Sequence, residues 1–205
     1  MVNTGEVIDD YIIWELCKER GIQNRILEES PDGKELKQEI LSKVRQEYLG
    51  KNYSREEKRK MISELGSNPE YRTRIFENSS WKIQKVKVEE LGTTLPRAMG
   101  LPPEVITGSL TDVIDFVEKA DPKQYRSIKY IRKLEQVPKL LEEFKPPVIT
   151  PGKSIREPER MRKVHGEKQW NIKETWGAVH DANHRTIAKI ISNNLKQVEC
   201  YVGHR

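Results

Sequence analysis

The residues best equipped for chemistry form one short run, His180-Asp181-Ala182-Asn183-His184-Arg185-Thr186. Before it, Trp176 to Val179 is small and apolar after the tryptophan, as in a short strand. After it, Ile187, Ala188, Ile190 and Ile191 recur at helical spacing. The run therefore sits where a strand passes into a helix. The first N–H groups of such a helix have no intrahelical partner, and the helix dipole favours an anion there. His184 and Arg185 bring further donors and charge into the same turn, and Thr186 completes it. The pattern predicts a cradle for phosphate or carboxylate.

Each residue of the run has a functional and a structural role open to it. Arg185 opposes the dipole of its own helix, so it calls for a ligand phosphate or for a carboxylate neighbour such as Glu174. His184 is either a donor to a phosphoryl group or a half-buried packing histidine. Asp181 is the helix N-cap, or a base or magnesium ligand. Asn183 positions substrate or serves the turn. A zinc site needs three or four converging ligands, and His180, Asp181, His184 and His204 lack a clean spacing for it. Nucleotide-bound Mg²⁺ is easier to supply, since it asks for only one or two carboxylates. Gly152-Lys-Ser154 is not a phosphate-binding P-loop, because Pro147 stands where the pattern needs glycine. Lys153, Arg156, Arg160, Arg162 and Lys163 nevertheless form a basic cluster, and Trp170 and Trp176 could stack on a base or pack.

The elements that must position this turn follow from periodicity. Residues 6–20 read as an amphipathic helix with Ile8, Ile12 and Leu16 on one face and Gly21 as its stop. Leu36, Ile40, Leu41, Val44 and Tyr48 mark a second helix. Ser54-Arg-Glu-Glu57 is a capping box that opens a third, and Pro69 begins a short fourth over 71–76. At Trp81 the period changes. Trp81, Ile83, Val86 and Val88 interleave with lysines as in a strand with one basic face. Leu91 to Arg97 reads as a loop, and Leu110, Val113, Ile114 and Val117 as a short helix. A longer helix runs from Pro122, and Pro138 breaks it. Pro146 to Pro151 reads as an edge strand because of its prolines. Residues 152–173 are a long polar loop, and Val198, Cys200 and Val202 mark a last strand. The expected division is a helical module over 1–80 and an α+β domain over 81–205.

Charged residues make up 34% of the 205, and mean hydropathy is −0.78, a composition that predicts a soluble, cytoplasmic protein without membrane partners. Cys17 and Cys200 lack metal-type spacing and read as buried free thiols. The abundance of Lys, Glu, Arg and Ile resembles thermophile composition. The net charge of +5 is uneven: residues 1–80 hold 14 basic against 16 acidic residues, and 81–205 hold 23 against 16. The second part is the one expected to meet an anionic partner.

The order of elements and the junction together resemble the ParB/sulfiredoxin-like superfamily. A strand, Asp181-Ala-Asn-His-Arg185, a helix Thr186-Ile-Ala-Lys-Ile-Ile191 and a strand Val198-Glu-Cys-Tyr-Val202 carry the likeness. The corresponding junction reads Gly-x-Arg-Arg in partition proteins, Gly-Cys-His-Arg in sulfiredoxins and Asp-Gly-His-His-Arg in free serine kinases, and this chain is most similar to the kinase form. Asn183 stands where sulfiredoxins carry their reactive cysteine, which argues against sulfinic-acid reduction. Ala182 stands where these families often have glycine, and no helix-turn-helix follows the motif before Arg205.

The resemblance implies a small mixed sheet with flanking helices. It also implies a nucleotide-dependent phosphotransferase that uses ADP or ATP with Mg²⁺ on a small hydroxylated metabolite. Asn183, His184, Arg185 and Thr186 would hold phosphate, and Asp181 would handle metal or proton. Glu104 would be the base beyond the first strand, with Glu89 and Glu90 as alternatives. The other expectation is a ParB-like DNA binder or nuclease acting through the basic domain; a third is an anion-binding module without turnover. A homo-oligomer fits any of them.

Overall fold

The computed structural model describes residues 4–22, 33–65, 80–93, 105, 109–137, 141–142, 147–151, 175–179 and 183–204. Six α-helices and five strands are described: α1 (Thr4–Glu19), α2 (Gly33–Leu49), α3 (Arg55–Leu65), β1 (Ser80–Lys87), β2 (Leu91–Thr93), α4 (Leu110–Lys119), α5 (Arg126–Glu135), β3 (Val148–Pro151), β4 (Gly177–Val179), α6 (Asn183–Asn193) and β5 (Gln197–His204). The class is α+β.

The strands form one mixed sheet in the order β1-β5-β3-β4-β2. β1 and β5 pair antiparallel along their full length, from Ser80 opposite His204 to Lys87 opposite Gln197. The period-two rule explains this pair in part. Val86, Val198, Cys200 and Val202 share one face and are buried, and Lys85, Lys87 and Glu199 on the other are exposed; Lys82, opposite Val202, is exposed on the first face, and Trp81 and Tyr201 are buried on the second. α6 packs against both α4 and α5, and α4 also contacts β2. Leu110, Val113 and Val117, then Ile128, Ile131 and Leu134, then Ile187 and Ala188 supply the core of this layer. Asn194 adopts a left-handed conformation (φ 46°), and the Leu195 N–H returns to the Ile190 carbonyl at 3.0 Å, which ends α6.

Two strand expectations are corrected. Leu91–Thr93 is strand rather than loop, pairing parallel with Gly177–Val179. Three residues are too few for alternation to register, and the pairing partner is remote in sequence. The segment at Pro146–Pro151 is not an edge strand: β3 lies in the middle of the sheet, parallel to β5 and antiparallel to β4. Its prolines flank the residues that must donate, so Val148 to Thr150 keep their N–H groups. The helix expected from Pro122 starts at Arg126, because Asp121 first accepts the Lys123 N–H at 2.9 Å in a side-chain turn. The fourth helix over 71–76 and the loop 152–173 lie outside the described residues.

α1 is buried on more than one side. Val7, Ile8, Tyr11, Ile12, Ile13, Trp14 and Cys17 are all buried, wider than the single stripe of a surface helix. α2 and α3 pack on it, with Lys58 2.7 Å from Asp9 and the Tyr48 hydroxyl donating to the same carboxylate at 2.7 Å. α1 also contacts β1, and the Tyr201 hydroxyl lies 3.4 Å from Asp10. Contacts therefore run across the division expected at residue 80. Among the described residues, no helix is long and apolar enough to cross a membrane.

Candidate functional site

β2 and β4 run parallel, and their C-terminal residues, Thr93 and Val179, are paired neighbours. The first turn of α6 follows β4 after three residues. Open α/β arrangements place ligands at this position, beyond the carboxyl ends of parallel strands and against a helix N-terminus. Thr93 fixes the turn directly: its hydroxyl donates to Oδ1 of Asn183 at 2.8 Å, with both residues buried. Asn183 thus works as a clip between strand and helix. Thr93→Val keeps the shape and removes the donor, leaving a buried amide oxygen short of a partner. The expected loss is about 1–3 kcal/mol in urea unfolding, and a loss below about 0.5 kcal/mol would show that the clip carries no stability.

Arg185 is 9% exposed, and its guanidinium carbon lies 4.2 Å from the ring centre of Trp14 on α1. That is cation–π geometry in a largely dry setting. Glu174, the carboxylate anticipated from sequence, lies outside the described residues. Lys18, one turn beyond Trp14, is ion-paired with the buried Glu15. The charges of Lys18 and Arg185 both reach His184, so two cations from different elements surround this turn.

His184 is half-buried as a residue, yet its ring is packed edge-on against Tyr130 of α5, with centroids 5.4 Å apart and planes at 74°. Burial, then Lys18, then Arg185 push its pKa down to about 4. The imidazole is therefore neutral near pH 7 and offers one N–H and one lone pair. Burial also holds the Tyr130 phenol well above its ordinary range, partly countered by Arg185. Burial pushes the Cys17 thiol up to about 11, against the opposing charges of Arg185, Arg20 and Arg45, so it stays a packed thiol at neutral pH.

The turn thus brings Asn183, His184, Arg185 and Thr186 together at the head of one helix. Asp181, His180 and Glu104 lie outside the described residues. Glu89 is placed elsewhere. It shares a cleft of about 770 Å³ with Ile190, Ile191 and Asn194, at the far end of α6, about 15 Å away by helix rise. Glu90 closes the turn between β1 and β2, its carboxylate accepting the Lys87 N–H at 3.3 Å. That cleft shares no residue with the cradle. Trp176 is 42% exposed and leads into β4. Among the described residues, no group of three or more His, Cys, Asp or Glu side chains is placed to hold a metal.

Four contributors escaped sequence reasoning: Thr93, Trp14, Lys18 and Tyr130. The one available signal was Tyr11-Ile-Ile-Trp14, a run too apolar for a helix with one buried face. Comparison with family models, with characterised proteins and with solved structures gives no match for this chain.

Proposed function

We propose that the protein binds a nucleotide through its phosphates at the first turn of α6 and transfers a phosphoryl group to a small hydroxylated metabolite. The observation that carries this is the placement of Arg185, buried in a helix first turn and held against Trp14. The dipole of α6 disfavours a guanidinium there, and Lys18 and Arg185 raise the local positive potential. An oxyanion at this point offsets both terms and suits the first-turn N–H groups of the helix as donors. A neutral His184 suits donation of one hydrogen bond to charge developing on a transferred phosphoryl group.

The resemblance of Asp181-Ala-Asn-His-Arg185 to the kinase form of the ParB/sulfiredoxin-like junction supports the same chemistry, and the mixed sheet with flanking helices accords with that fold. In this scheme ADP or ATP is the donor, Asp181 holds Mg²⁺ or a proton, and Glu104 is the base. The alternative, a ParB-like DNA-binding protein or nuclease with a nucleotide site, draws on exposed Lys82 and Lys85 along the edge strand β1.

A thermal-shift panel separates the two. ADP, ATP, CTP, pyrophosphate and a short DNA duplex are compared with and without Mg²⁺, on wild type and on Arg185→Ala. A ligand at a hundred times its Kd stabilises the native state by about 2.7 kcal/mol. Loss of the charge-assisted bonds in Arg185→Ala is expected to weaken nucleotide or pyrophosphate binding by about 10- to 100-fold. A shift with DNA alone, unchanged in Arg185→Ala, would sink the phosphotransferase reading in favour of the basic edge strand.

A further inference from the structure

Two hydroxyls beside this turn are buried and make no hydrogen bond among the described residues. One is the phenol of Tyr130, a residue 7% exposed; the other is Oγ1 of Thr186, a residue 3% exposed. They come from different elements, α5 and α6, which pack on one another. Buried polar groups in folded proteins are hydrogen-bonded in the great majority of cases, so each of these exceptions needs a cause. Overpacking is not the cause for Tyr130, whose ring meets His184 in ordinary edge-to-face geometry.

The chemistry of the surroundings defines the missing partner. Arg185 and Lys18 are donors without acceptor capacity, the first-turn N–H groups of α6 are donors, and His184 carries one N–H. Among the described residues, the side-chain acceptors beside the turn, the Glu15 carboxylate and Oδ1 of Asn183, are already engaged by Lys18 and Thr93. A hydroxyl can donate or accept, and next to so many donors it completes its bonding by donating. The group that takes several donors at once, from a side-chain fork, a helix end and two hydroxyls, is a tetrahedral oxyanion.

We infer that the Tyr130 hydroxyl, with that of Thr186, donates to the phosphate oxygens held at the first turn of α6. This rests on the reading of that turn as a phosphate site. It assigns α5 a direct part in binding and makes Tyr130 a ligand contact that the junction motif alone does not contain.

The test uses the full chain and isothermal titration with pyrophosphate, with melting temperature read alongside. Tyr130→Phe removes one oxygen and keeps the ring. The expected result is a Kd about tenfold weaker with a melting temperature of the free protein unchanged or raised, because an unsatisfied buried group has been removed. Thr186→Val is the independent second probe and is expected to act in the same direction. An unchanged Kd in both variants, with Arg185→Ala still weakening binding by about 10- to 100-fold, overturns the assignment of the hydroxyls and leaves the phosphate site standing. No pyrophosphate binding by wild type overturns both.

Discussion

Trp14→Ala is expected to destabilise the whole chain by about 3–5 kcal/mol, the range for removing a buried tryptophan. Trp14 is 5% exposed among Ile12, Ile13 and Cys17 of α1, so alanine leaves a cavity that packed helices close only in part. A second contribution comes from Arg185. With its ring partner gone, a buried guanidinium in a helix first turn keeps its desolvation and loses a compensating contact. Against a usual total of about 5–15 kcal/mol, the loss is large enough to bring unfolding close to ambient temperature.

Two further variants separate these contributions. Trp14→Phe retains an aromatic face and is expected to lose less. A double-mutant cycle of Trp14→Ala with Arg185→Ala is expected to give a coupling of about 1–2 kcal/mol. Urea denaturation followed by far-ultraviolet circular dichroism reads all of these. A coupling indistinguishable from zero would mean that ring and guanidinium do not support each other. A loss under about 1 kcal/mol in Trp14→Ala would be incompatible with a core position.

Much of the architecture can be read from local pattern. The capping box is present in atomic detail: the Glu57 carboxylate accepts the Ser54 N–H at 2.7 Å, and the Glu57 N–H reaches the Ser54 hydroxyl at 3.3 Å. α4, α5 and β5 have the buried faces that their periodicities require. What local pattern cannot carry is the identity of a remote partner. β2 exists only because Gly177–Val179 lies beside it, and β3 reaches the middle of the sheet through pairings with β4 and β5.

The same limit applies to the site. Asn183, His184, Arg185 and Thr186 could be proposed from the junction, since a strand-to-helix turn sets its own electrostatics. Thr93, Trp14, Lys18 and Tyr130 reach that turn through packing of elements scattered across the chain. α1 in particular belongs by sequence to a helical module of slightly acidic balance, yet it presents an aromatic face and a lysine to the head of α6. The helical segment therefore has a physical task at the site, and its charge balance alone gives no hint of it.

The stability of the protein is expected to fall as pH drops from about 6.5 to about 4, with His184 contributing about 3 kcal/mol of that fall. The sign follows from the direction of the shift. Burial first, then Lys18 and Arg185, hold the folded imidazole at a pKa of about 4, whereas an unfolded histidine titrates near 6.5. Between those values the unfolded chain binds a proton that the folded chain refuses, so falling pH favours unfolding. The contribution is complete above the unfolded value and is lost as the folded value is approached. Carboxylates titrate in the same window, so the measurement is a comparison. Urea stability is followed from pH 7.5 to 4.5 in wild type and in His184→Gln, and the wild-type curve is expected to be steeper by nearly one proton. Parallel curves would place His184 at an ordinary pKa and remove the case for a neutral donor. Saturating pyrophosphate adds a second check. An anion beside Lys18 and Arg185 offsets the charges that depress the histidine, raising its folded pKa, so the extra steepness of wild type shrinks when the site is filled.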